Sequence, residues 1–291
     1  MTKRSQIRCM VLILQSFLRY KRLRISPHIL LAPSVLTIVV LFVGSLLSAW
    51  QATSLKHLWS VLFQREVQAS LALTLRVSVI STLVSAGLGA LLALVVVERS
   101  RRWPALNWVL QVPIAVPHVS FTLAAIYLLA PSGLIARILY HAGVVREPAG
   151  FPALWNDAHG LGIMCVYIAK EVPFLALLCV TVLVRLDPWL YDQARTIGAS
   201  TWQRFRNITL PALLPVLAGG SAVVFAFVFS AFEVPLLAGR PFPAMMGVLA
   251  QQRFSGADLQ DRPEALAMAL LMFLIVAVVL ATAFRVTRSF E

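Results

Sequence analysis

Six long, almost uncharged apolar blocks, at 28–50, 77–97, 105–130, 161–184, 213–237 and 265–284, leave this chain very few folds to adopt. Each is long enough to cross a hydrocarbon core of about 30 Å, which takes roughly 20 helical residues. Backbone groups in lipid must find their partners within their own segment, so an open chain crosses as helices. Barrel strands would show segments of about ten residues with alternating polarity, and these blocks do not alternate. Composition agrees: 59% of the 291 residues are hydrophobic and 13% charged, with a mean hydropathy of +0.84. A soluble domain carries about twice that charge fraction. The expected fold class is all-α: a polytopic membrane protein with a cytoplasmic basic segment at 1–27 and a six-span domain at 28–291.

Orientation follows from Lys and Arg, which accumulate in cytoplasmic loops. With the N-terminus inside, the cytoplasmic side collects 16 of the 25 basic residues and the opposite side seven. Arg76 and Lys170 lie at or within spans. Both termini and the 185–211 loop are therefore expected in the cytoplasm. The net charge of +13 is accounted for by these topology-setting flanks and their contact with anionic lipid. It does not point to nucleic acid, because no aromatic-basic recognition module accompanies it. The apolar run from Cys9 to Leu18 ends in Arg-Tyr-Lys-Arg-Leu-Arg with no small-residue cleavage site. It reads as a retained cytoplasmic segment, in the form of an amphipathic interfacial helix. Cys9, Cys165 and Cys179 lack metal-ligand spacing and read as packing residues.

The polar island Asp192 to Pro211 interrupts the apolar pattern with DQARTIGASTWQRFRNITLP. Asp187-Pro188 suits a helix start, and Gly198 supplies a left-handed stop. Ser200 or Thr201 offers a fresh N-cap ahead of Trp202 and Phe205, which share one face of a short helix. Pro211 is expected to open the fifth span after a second turn. Read alone, this could be an interfacial helix dipping its aromatic side chains into lipid while Arg204 and Arg206 hold head groups.

Asp192, Gln193, Ala194, Gly198, Ile208, Leu210 and Pro211 spell D-Q-A-x3-G-x9-I-x-L-P. This resembles the EAA loop, E-A-A-x3-G-x9-I-x-L-P, of the permease subunits of binding-protein-dependent ATP-driven (ABC) importers of type I. The resemblance covers about residues 69–287. It implies that Asp192, Gln193, Ala194, Gly198, Ala199, Ser200, Thr201, Trp202, Arg204, Phe205, Ile208, Leu210 and Pro211 dock an ATPase. It also implies a bacterial inner-membrane location and a set of partners: two ATP-binding subunits, a second permease of the same or homologous chain, and a periplasmic or lipid-anchored solute-binding protein. Asp192 and Gln193 stand where the pattern has Glu and Ala, so the carboxylate is retained one methylene shorter. The chain has no G-x4-G-K-[S/T] phosphate loop. It is expected to be no enzyme and to hold no cofactor, ATP and Mg being bound by the partner.

Charges inside the spans are the remaining signal. A charged residue mid-bilayer costs about 2.5–3.5 kcal/mol on insertion, against about 0.3–0.6 gained per large aliphatic. Lys170 and Glu171 therefore leave the fourth span near neutrality and need partners or a wet cavity. Glu233 in the fifth span repeats the pattern: Lys-Glu-Val-Pro-Phe-Leu is matched by Phe-Glu-Val-Pro-Leu-Leu, with Pro173 and Pro235 able to bend each helix. Two readings stand: structural pairs, Lys170 with Glu233 or Arg76 with Glu171, or residues of a translocation path, Lys170, Glu171, Pro173, Glu233 and Pro235. The two strings resemble the polyamine, ferric iron and thiamine branch of the importers. The rival to an importer is an ion-coupled secondary carrier that relays protons through Lys170, Glu171 and Glu233. In the third span, Pro113 and Pro117 predict a bend, and 134–141 predicts a short surface helix. His118, His141 and His159 lack metal spacing and read as hydrogen-bonded singly.

Overall fold

The computed structural model describes residues 27–53, 55–99, 105–146, 150–151 and 154–288. The basic segment 1–26, with Cys9 and its expected interfacial helix, lies outside the described residues, as do Arg101 and Arg102. The chain divides into two units, Met1–Gln51 and Ala52–Glu291. The first contributes one apolar helix, α1 (Pro27–Ala52).

In the second unit the helices run α2 (Leu55–Phe63), α3 (Arg65–Arg99), α4 (Ala105–Ala115), α5 (His118–Leu129), α6 (Leu134–His141) and α7 (Leu161–Leu183). They continue with α8 (Pro188–Thr196), α9 (Thr201–Arg204), a π-turn (Phe205–Thr209), α10 (Leu210–Ser230), α11 (Glu233–Ala238), α12 (Met246–Ser255) and α13 (Arg262–Arg288). Among the described residues, six helical stretches are long and apolar enough to cross a membrane.

The packing centre is the pair α3 and α7. The face that α3 turns inward is small and hydroxylated: Ser70, Thr74, Ser78, Ser81, Thr82, Ser85 and Gly89 are all buried. Lipid tails compete equally for apolar surface, so membrane helices associate through close backbone approach, which small residues permit. At Gly89 the approach is close: an added Cβ would lie 2.9 Å from Cβ of Leu175 and 3.1 Å from the backbone nitrogen of Ala176. Thr74 bridges to a third element, since its hydroxyl donates to the Ser70 carbonyl (2.7 Å) and accepts from the Met246 backbone N–H (2.8 Å). The core around this seam includes Val77, Ile163, Tyr167, Leu175, Val224 and Val228.

The second span starts earlier than expected, at Arg65; two others are interrupted, and proline explains both. The third is broken, not merely bent. Pro117 has no N–H, so the Pro113 carbonyl loses its helical partner, and Val116 before it is pushed out of the helical region. α4 accordingly stops at Ala115 and α5 starts at His118. The fifth span ends at Ser230, not 237. Ala231 is extended (φ −72°, ψ 144°), and the chain restarts as α11 with Pro235 in its first turn, where a missing N–H costs nothing. Glu233 therefore stands at the head of a short helix beyond a break. Pro173, in the matching string of the fourth span, stays inside an unbroken α7. The surface helix at 134–141 forms as expected.

Candidate functional site

The 185–211 loop is stiffened at each joint by local chemistry. Asp187 caps α8 by accepting from the Trp189 backbone N–H at 2.9 Å, with Pro188 in the first turn. Gly198 ends the helix in the left-handed region (φ +80°). Ser200 then caps α9 in a reciprocal box. Its hydroxyl accepts from the Gln203 N–H (3.2 Å), and the Gln203 side chain accepts from the Ser200 N–H (2.8 Å).

The expected second turn is absent. α9 runs through the π-turn straight into α10, with the Leu210 N–H reaching back five residues to the Phe205 carbonyl. Pro211 is the cause: it offers no N–H to the Asn207 carbonyl, and its ring would crowd that group, so the helix widens by one residue. The loop and the fifth span are thus one continuous rod. Tyr191 ties α8 to the same rod, its hydroxyl 2.9 Å from that of Thr209.

On this rod Trp202 and Phe205 stack with ring centroids 5.6 Å apart, and Trp202 is 66% exposed. Ile197 beside the turn is 84% exposed. Ala194, Ala199, Arg204 and Ile208 are half-buried, and Gln193 and Thr201 lie open. Arg204 donates to the Thr201 hydroxyl at 3.1 Å. Asp192, the shortened signature carboxylate, lies 3.9 Å from Arg195 with both groups exposed, a pair that contributes little.

The intramembrane charges do not pair as either sequence alternative had it. The Lys170 ammonium donates to the carbonyls of Pro113 (2.5 Å) and Val116, with the Phe121 ring 5.7 Å away. It sits on carbonyls left without helical partners at the break between α4 and α5. Glu171 instead meets His118, Nε2 to Oε1 at 3.3 Å, and Arg76 meets His159, Nη1 to Nδ1 at 3.1 Å. Both helix breaks open beside α7, and a cavity of about 210 Å³ lies at each. One is lined by Ile114, His118, Lys170, Glu171, Phe174 and Phe227, among others. The other is lined by His118, Tyr167, Phe227, Ser230, Phe232 and Glu233, among others. Lys170, Glu171 and Glu233 are thus brought to one region. Pro173 and Pro235 are buried nearby and do not line either cavity. Sequence reading took His118 only as a singly hydrogen-bonded residue and passed over Tyr167 and Phe227. The Pro117-His118 junction was their one visible signal.

Residues 85–290 match the sequence profile of the binding-protein-dependent transport system inner membrane component. The chain belongs to that family. Its relatives include the inner membrane ABC transporter permease protein YnjC of Escherichia coli (strain K12), 30% identical over 238 residues. That match covers 79% of this chain and 43% of YnjC. The trehalose/maltose transport system permease protein MalF of Thermococcus litoralis is 32% identical over 168 residues, covering 56% of this chain and 55% of that one. The chain spans about half the length of the curated relatives it matches. A chain of the bacterial alginate ABC transporter, crystallised with its alginate pentasaccharide-bound periplasmic protein, superimposes with a TM-score of 0.71 at 20% identity. It covers 92% of this chain and 98% of its own, and this likeness establishes the type I permease fold. The family and the six apolar helices make this a multi-pass protein of the bacterial inner membrane.

Proposed function

We propose that the chain is a permease subunit of an ABC importer, forming half of a translocation pathway. ATP hydrolysis by a separate ATPase subunit drives uptake of a small polar solute delivered by a binding protein. One observation carries the coupling role: a capped, aromatic-faced helix, α9, is continuous with a membrane span. An interfacial helix would need no such rigid connection. A coupling helix does, because closure of an ATPase pressing on Trp202 and Phe205 must move the span itself. ATP binding would favour one state by its differential affinity for the closed ATPase, and the rod would transmit that bias.

The remaining members of the assembly are a second ATPase, a second permease and the binding protein. ATP and Mg belong to the ATPase subunits. The Glu-Val-Pro strings support a solute among polyamines, ferric iron, thiamine and related compounds. Lys170, Glu171 and Glu233 border the path, with Pro173 and Pro235 shaping its helices.

The test is co-purification of ATPase subunits from native membranes, with the intact chain and with a Gly198→Asp variant that inserts normally. The expected result is an ATPase held by the first and lost by the second. Vanadate should stop uptake. If no ATPase is retained, and uptake stops with an uncoupler instead, the ion-coupled carrier takes its place.

A further inference from the structure

The two cavities share His118 and Phe227 and nothing else. These two rings lie 4.7 Å apart between centroids and stand where the two spaces meet. α7 and α10 fix the order along the membrane. The Tyr167–Ser230–Glu233 cavity lies toward the end of the bundle remote from the 185–211 loop, and the Lys170–Glu171–Val223 cavity lies deeper. The chemistry of the two sides is unequal. In the deeper cavity both charges are already engaged, Lys170 by carbonyls and Glu171 by His118.

The outer cavity is different. Glu233 is exposed into it, and Tyr167 lines it with a fully buried side chain whose hydroxyl has no hydrogen-bond partner. A buried hydroxyl without a partner is costly and calls for one. Phe227 and Tyr167 present ring edges and faces at 87° to each other, 6.2 Å apart. Such a space, with a carboxylate, a hydroxyl and aromatic surface, receives a hydrogen-bond-donating cation on an apolar stem.

We infer that the two cavities are successive chambers of one half-path, divided by a His118–Phe227 partition. The outer chamber takes the ammonium-type end of the solute at Tyr167 and Glu233. Opening the partition requires His118 to leave Glu171, which joins the chambers and passes the cation to a second carboxylate. This inference rests on the importer reading and refines its path.

The test uses the full chain in right-side-out membrane vesicles, with Cys9→Ser, Cys165→Ser and Cys179→Ala removing the native thiols. Reporters are Ser230→Cys in the outer chamber and Val223→Cys in the deeper one. Their reaction rates are compared for a trimethylammonium-ethyl and a sulfonatoethyl methanethiosulfonate. Clefts lined by one sign of charge enrich counter-ions by about tenfold or more. The cationic reagent should therefore react at Ser230→Cys about tenfold faster, and Glu233→Gln should bring the two rates within about threefold.

Butylammonium, unlike 1-butanol, should protect Ser230→Cys, and Tyr167→Phe should raise the concentration required. Val223 is exposed, so Val223→Cys should react at a measurable rate that His118→Ala or Phe227→Ala raises, with Ser230→Cys unchanged by either. Equal rates for the two reagents would overturn the cation chamber. Indifference of Val223→Cys to both partition variants would overturn the partition. ATPase co-purification with the reporter chains is scored separately: its loss counts against the importer reading, whereas equal rates with the ATPase bound count against the chambers alone.

Discussion

Lys170 shows how a single residue can be legible in kind and not in partner. Its charge in an apolar block announced a need for company, but the partner is backbone, freed by a proline that is 53 positions away in the chain. No side-chain pairing rule finds that. Replacing it with Met should leave two carbonyls orphaned, a loss of about 1–3 kcal/mol. Uptake should collapse while ATPase binding persists, and normal uptake by Lys170→Met would remove it from the path. Two glycines offer a contrast at the same scale. Gly198→Ala meets open space, so its cost is only the left-handed backbone, about 1–2 kcal/mol. Gly89→Ala drives a methyl into Leu175 and the α7 backbone. Overpacking of that sort costs about 1–3 kcal/mol and parts two helices. Thermal melting in detergent should show both destabilised. Only Gly89→Ala should also alter a disulfide cross-link engineered between α3 and α7.

At the scale of elements, the apolar blocks were readable because their length and uniformity leave one solution in lipid. Caps at Asp187, Gly198 and Ser200 were readable too, since each rests on a side chain's own hydrogen-bonding habit. What hid was the response of helices to proline. Pro117 and Pro235 break their spans, Pro173 is absorbed, and Pro211 is relieved by a π-turn in place of the expected loop. Sequence shows where a carbonyl is freed; neighbouring helices decide whether a lysine, a break or a widened turn resolves it. The π-turn has a measurable consequence. Deleting Asn207 restores ordinary helical pitch and turns Trp202 and Phe205 by about 100° about the axis. Such a chain should insert and melt almost normally, yet hold ATPase weakly. Retention equal to the intact chain would show that the orientation of the aromatic face is immaterial.

For the molecule as a whole, the family could be read from one loop, but what closes the second unit could not. Arg253 on α12 donates to Glu66 at the start of α3 (2.7 Å), to Glu264 at the start of α13, and to the Gln64 side-chain carbonyl (2.8 Å). Gln64 returns a bond to Glu264 at 3.2 Å. Three helices converge on one guanidinium whose side chain is only 16% exposed. The positions are too scattered in sequence to suggest a cluster, and in a loop each charge reads as solvated. The planar fork of arginine suits this geometry because it meets separate acceptors at once, which a lysine ammonium cannot do with the same directions. Removing it leaves two partly exposed carboxylates close together without their shared donor, a loss of about 1–3 kcal/mol. Arg253→Met should therefore lower the melting temperature sharply, and Arg253→Lys by less. Adding Glu264→Gln to Arg253→Met should recover part of the loss, because the like-charge repulsion is then gone. Equal melting of Arg253→Met and the intact chain would mean that the three helix ends are held by their apolar contacts, Val61 and Val67 against Met268, and that the cluster is only a solvated cap.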